Sequence, residues 1–153
     1  MLMDIWNALR PGRPIKGRKS EEWIEIGFQV EDPATDFRGA GYLGLANLHG
    51  WVAKEEGKRA FKIADTKETE YFFASASLFL TMLSVELLKG GQILSYYWVP
   101  REGEEVEAMF QSMFEAVWSE FAAHWLAAPD KSMMQFNLTL LNFSRKLKEE
   151  RLG

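Results

Sequence analysis

Along most of this chain, apolar residues return every three or four positions, the spacing that gathers them on one face of a helix. A short N-terminal helix contains Trp6. Ser20 is placed to cap a second short helix opening at Glu21-Glu22, whose acidic residues suit its N-terminal dipole, and Gly27 ends it. Asp32-Pro33 reads as a turn: proline presets φ for the second turn position, and Asp accepts from the backbone two residues on. Leu45, Leu48 and Val52 predict a helix from about Gly39–Gly41 to Glu55, with Gly57 beyond its end. Asp65-x-x-Glu68 has the spacing of a capping box and predicts a long helix from there to Lys89. Phe72, Ala76, Phe79 and Leu83 form its buried stripe, and Gly90-Gly91 stops it.

Ile93–Val99 is β-prone and ends at Pro100. Glu104, Glu105 and Glu107 suit the first turn of a further helix, buried through Phe110, Phe114, Val117, Phe121 and Trp125, and Pro129 closes that region. Ser132-x-x-Gln135 predicts a capped final helix, buried through Met133, Phe136, Leu140, Phe143 and Leu147. No repeat or linker breaks the pattern. It predicts one all-α domain over residues 1–153.

Composition sharpens this picture in three places. A hydrophobic share of 47% with six Trp and eleven Phe predicts a large aromatic core. A net charge of −4 argues against nucleic acid as a partner, because a phosphate backbone selects a basic stripe. The chain has no cysteine, which removes disulfides, thiolate metal sites and thiol catalysis and fits a reducing, cytoplasmic setting. Tyr71–Leu88 approaches membrane length, but it holds Glu86, three serines and a threonine, and the charge alone costs about 2.5–3.5 kcal/mol near a bilayer centre. A buried core helix is the better reading. With no secretory or lipidation signal at Met1–Leu9 or at the C-terminal Arg-Leu-Gly, a soluble chain is expected.

Candidate chemistry is sparse. His49 and His124 stand on separate predicted helices, without metal-ligand spacing to carboxylates. No G-x-S-x-G elbow supports a serine nucleophile. Gly12-x-x-x-x-Gly17-Arg-Lys-Ser resembles a phosphate loop, but its lysine comes one residue late and Pro14 removes an amide donor. The basic cluster Arg10, Arg13, Lys16, Arg18 and Lys19 reads as a solvated segment, with peripheral membrane contact as its alternative. Arg38 stands out. If Thr35 or Asp36 caps the next helix, Arg38 falls in a first turn, where positive charge is disfavoured by about 0.3–1 kcal/mol. Either it pairs with Asp32 or Asp36 and holds the turn, or it faces a partner.

The stretch Trp23–Gly39, with Gly27-Phe28-Gln29, Asp32-Pro33 and Asp36-Phe37-Arg38-Gly39, continues into Gly41-Tyr42-Leu43-Gly44-Leu45-Ala46-Asn47-Leu48. It resembles the signature of the ELMO (engulfment and cell motility) family. Weaker likeness covers Tyr71–Leu88, Phe110–Trp125 and Met134-Gln135-Phe136-Asn137. The chain departs from the pattern at Val30, where relatives often carry glycine.

The resemblance implies a compact multi-helix fold with a functional loop before a central helix. It also implies a GTPase-activating protein for an Arf or Arf-like small GTPase, with Arg38 as the catalytic arginine. Gln29, Asp32, Asp36 and Gly39 are then the partner-binding candidates, with Asp36 able to orient the guanidinium. GTP and magnesium would belong to the partner, and a cytoplasmic monomer without a cofactor of its own is expected. Some relatives lack the arginine and act as scaffolds, so a non-catalytic adaptor or GTPase effector is the alternative.

Overall fold

The computed structural model describes residues 1–91 and 102–152. The described residues are all-α: α1 (Leu2–Leu9), a 3-10 turn (Glu21–Ile26), α2 (Pro33–Asp36), α3 (Gly41–Val52), α4 (Glu55–Ala64), α5 (Phe73–Lys89), α6 (Val106–Ala127), a second 3-10 turn (Met133–Gln135) and α7 (Phe136–Leu152). The β-prone Ile93–Val99 lies outside the described residues.

The central helix is α5, which packs on α3, α6 and α7. Its buried positions run around most of its circumference, and many are small: Ala74, Ala76, Ser77, Thr81 and Ser84. A helix apolar on nearly every side has to be surrounded. Ser84 remains compatible with burial by donating to the Leu80 carbonyl at 2.8 Å, and Thr81 accepts from the Asn47 side-chain amide of α3 at 3.3 Å. One hydrophobic core runs from Ile5 to Leu147. Trp6, Trp23, Trp118 and Trp125 are fully enclosed in it, each contributing far more apolar area than an aliphatic side chain.

Three predicted boundaries move. The helix expected to reach Glu55 ends at Val52, and a separate α4 begins at Glu55 because Lys54 is extended (φ −96°, ψ 151°). Gly57, expected beyond the helix end, is buried within α4, where a Cβ would strike the Trp51 carbonyl. Asp65 and Glu68 form no capping box: Asp65 closes α4, and α5 begins only at Phe73. The intervening turn is instead held by Thr66 and Thr69, whose hydroxyls each donate at 2.7 Å to the carbonyls of Lys62 and Ile63. Phe72 is consequently exposed rather than part of the core.

The predicted Ser132 box also does not form. The Ser132 amide donates to Asp130 Oδ1 at 2.9 Å, and the 3-10 turn leads into α7 without a side-chain cap. Met133 is only partly buried, while Phe136, Leu140, Phe143 and Leu147 are buried as predicted. Helix α6 likewise buries Phe110, Phe114, Val117, Phe121 and Trp125, with Glu107 in its first turn.

Candidate functional site

The signature segment folds as a braced loop on the N-terminal end of α5. Ser20 caps the first 3-10 turn by accepting from the Glu22 amide at 3.3 Å, and Gly27 ends it in the left-handed region at φ 98°. Gly27 has a second reason to be glycine. A Cβ there would collide with the backbone amide of Phe73, and the Gly27 carbonyl accepts from the Ser75 amide at 3.1 Å and the Ser75 hydroxyl at 2.9 Å. The loop thus supplies a hydrogen-bond acceptor to the first-turn amide of Ser75, which the helix itself cannot satisfy.

Aromatic edge-to-face contacts continue the brace. Trp6 meets Trp23 at 5.7 Å, Trp23 meets Phe28 at 5.9 Å, and Phe28 meets Phe37 at 5.7 Å between ring centroids. The series runs from α1 to the residue immediately before Arg38. Trp23 and Phe28 are completely buried and Phe37 partly so, which fixes the loop on the core.

Asp32 and Asp36 have separate structural tasks. Asp32 caps α2, accepting from the Ala34 amide at 3.1 Å, and meets the Arg18 guanidinium at 3.4 Å. Asp32-Pro33 therefore opens a short helix rather than only a turn, with proline at a first-turn position. Desolvation acts to raise the Asp32 carboxyl, but the Arg18 guanidinium and the Ala34 amide hold it below its ordinary value. Asp36 accepts from the Gln29 backbone amide at 2.7 Å, and burial pushes its carboxyl up.

Arg38 is exposed in the turn between α2 and α3. Its amide donates to the Thr35 carbonyl at 3.4 Å, and the Gly41 amide donates to the Phe37 carbonyl at 2.6 Å. Among the described residues its guanidinium makes neither an ion pair nor a hydrogen bond, since Asp32 and Asp36 take other donors. The proposed pair with either aspartate is absent. So is the first-turn placement: α3 is capped by Ala40 and starts at Gly41, leaving Arg38 just past the C-terminal end of α2. Gly41 adopts φ +59°, and a Cβ at Gly39 or Gly41 would meet nothing within 4 Å, so this backbone is open to approach.

Beside the loop lies a groove of about 400 Å³. Gln29, Thr35, Asp36 and Gly39 form one wall. The opposite side comes from α5 through Leu78, Phe79 and Met82, and from α7 through Phe136 and Leu140. Sequence reasoning placed Phe79 in the core stripe and overlooked Met82, which is 40% exposed. A methionine off the buried stripe of an otherwise enclosed helix was the available signal. Gln29, Asp36 and Gly39 are brought together around this groove; Asp32 sits apart, with Arg18.

The basic segment is largely neutralised. Arg10 forks onto Asp65 at 2.7 and 2.8 Å while covering the Phe61 ring, and Arg13 forks onto Glu25 at 2.6 and 2.9 Å. Trp6 and Trp23 donate their indole N–H groups to the carbonyls of Arg13 and Gly17 at 2.6 and 3.0 Å. Residues 10–20 therefore form a strap over α1 and the first 3-10 turn, with its carbonyls satisfying the core.

The family model described as ELMO/CED-12 matches residues 1–140. The chain is 32% identical to ELMO domain-containing protein 2 of Homo sapiens over 97% of its own length and 51% of the relative. It is 28% identical to ELMO domain-containing protein 1 of Bos taurus, over 96% of the chain and 51% of the relative. The match to ELMO domain-containing protein B of Dictyostelium discoideum is 31% identical, over 95% of the chain and 50% of the relative. The chain thus spans about half the length of these relatives. No solved structure matches it significantly.

Proposed function

The chain belongs to the ELMO/CED-12 family, and from that membership together with its free arginine we propose that it activates an Arf or Arf-like small GTPase. The observation that carries the reading is Arg38: exposed, without an ion-pair partner among the described residues, on a loop braced from both sides. A guanidinium left in solvent on an otherwise fastened loop is available to another molecule's charge. Phosphoryl transfer from GTP spreads negative charge over the γ-phosphate and the bridging oxygen. A planar, permanently charged group inserted in trans stabilises that charge in the transition state. Such an arginine contributes about 10³–10⁵ in rate.

The GTPase contacts Gln29, Asp36 and Gly39 around the groove, whose open glycine backbone permits close approach. Asp32 acts through the cap of α2. GTP and magnesium belong to the partner, and this chain needs no cofactor. It works as a cytoplasmic monomer. Membrane contact through residues 10–19 is secondary: only Lys16 and Lys19 there lack ion pairs among the described residues, and they share a cleft with Glu21, Glu22, Glu25 and Glu31. Two lysines supply only about 1 kcal/mol each near an anionic surface.

The apolar groove favours a second reading, a non-catalytic effector or adaptor that binds the GTPase through the same face. Single-turnover GTP hydrolysis across a panel of Arf-family proteins separates the two. Activation accelerates hydrolysis on at least one member, whereas an effector leaves the rate unchanged or slows it.

A further inference from the structure

Asp36 combines features that its α-helical position alone does not require. It is the last residue of α2, it is partly enclosed, and its carboxylate meets no cation within ion-pair distance among the described residues. It is also the only ionisable side chain among the described residues lining the groove. Its hydrogen-bond donor is the backbone amide of Gln29, seven residues earlier and 2.7 Å away. That is the short range of a charge-assisted bond. Gln29 follows Phe28, and Phe28 follows the Gly27 carbonyl that accepts from Ser75 on α5. On the other side, Asp36 precedes Phe37 and Arg38.

We infer that Asp36 is the positioning residue for Arg38, a clasp that ties the exit of α2 to the segment anchored on α5 and so fixes where the arginine leaves the fold. This rests on the reading of Arg38 as the group offered to GTP. Asp36 acts through the backbone, because no ion pair joins it to the guanidinium. Without the clasp, the span between Gln29 and Asp36 keeps the Ser20 amide on the Glu31 carbonyl at 2.9 Å and the Phe28–Phe37 ring contact. Those and the Arg18–Asp32 pair restrain its middle and one side chain, and the Arg38 and Gly41 amides on the Thr35 and Phe37 carbonyls hold the local turn. Among the described residues, the clasp is the hydrogen bond that ties this turn to the Gly27–Gln29 backbone. A displacement of about 1 Å at a reacting group can cost about 10²-fold in rate.

The test compares Asp36→Ala and Asp36→Asn with the unaltered chain. Saturating single-turnover hydrolysis with the responding GTPase is measured beside thermal melting and the Gln29 amide-proton shift. Asn keeps an oxygen that accepts the same N–H, so Asp36→Asn should retain most of the maximal rate. Asp36→Ala should lose about 10²-fold in that saturating rate, a loss separate from any rise in the half-saturating concentration that removing a groove contact brings. In the unaltered chain the Gln29 amide proton should move as Asp36 titrates, with a midpoint above the ordinary aspartate value because burial raises it. That movement should vanish in Asp36→Asn.

Equal loss in both variants overturns the inference, since charge rather than the clasp would then matter. So does full activity in Asp36→Ala, or a loss that follows the folded fraction. A Gln29 amide shift that ignores pH also sinks it, even where no GTPase responds. Absence of any stimulation by the unaltered chain refutes the activating function instead and leaves the clasp to be judged by the amide shift.

Discussion

Arg38→Ala is the sharpest perturbation available, because stability and activity should separate completely. The side chain is exposed and makes no ion pair or hydrogen bond among the described residues, so its removal strands no carboxylate. Surface changes of that kind shift stability by no more than about 0.5 kcal/mol. For a chain of this size, at about 2–4 °C per kcal/mol, the melting temperature should stay within about 2 °C. Had Arg38 been paired with Asp32 or Asp36 in a buried bridge, the loss would have been about 3–5 kcal/mol, or roughly 10 °C.

The kinetic effect should be far larger. Loss of an arginine finger lowers stimulated hydrolysis by about 10³-fold or more, equivalent to about 4 kcal/mol of transition-state stabilisation. Arg38→Lys should recover little, since an ammonium keeps the charge but not the planar, multidentate donors. Melting curves and single-turnover hydrolysis, taken on the same samples, check both halves. A well-folded Arg38→Ala protein that still accelerates its GTPase fully would refute the catalytic assignment. One that melts about 10 °C early would refute the reading of Arg38 as unpaired.

Gly27→Val should destabilise by about 3 kcal/mol or more, because it combines a left-handed φ of 98° with a collision at the start of α5; near-normal melting would contradict that packing. Phe28→Ala should cost about 3–5 kcal/mol, read by denaturant unfolding, as it opens a cavity in the aromatic series behind Arg38. Met82→Asp, on the exposed groove wall, should raise the half-saturating concentration for the GTPase by at least tenfold with little change in the maximal rate, which titration of the hydrolysis assay measures. Glu22 is held below its ordinary value of 4.5 by the Lys16 amide and the Ser20 hydroxyl. Its contribution to strap stability is therefore present above pH 4.5 and lost as the pH falls through the lower folded value, so exchange of the Lys16 amide should rise there.

Short-range chemistry was legible wherever neighbours in sequence are also the partners in space. The all-α class, the Ser20 cap, the Gly27 stop and the buried faces of α6 and α7 all follow from residues within one or two turns of one another. The family signature likewise lies within a single continuous stretch. What escaped depended on contacts that only the packed chain makes. Helix α5 begins at Phe73 rather than near Asp65 where the Gly27 carbonyl, 48 residues away from Ser75, supplies its first turn with an acceptor. Gly57 belongs inside α4 because Trp51 fills the space a Cβ would need.

The state of Arg38 was decided in the same way. Sequence proximity made Asp32 and Asp36 its natural partners. In the fold, Arg18 and the amides of Ala34 and Gln29 reach those oxygens instead, and the guanidinium remains in solvent. Composition and spacing name the donors and acceptors present. Only the tertiary structure decides which of them meet, because each of these two carboxylates takes the donors that the packed backbone brings closest.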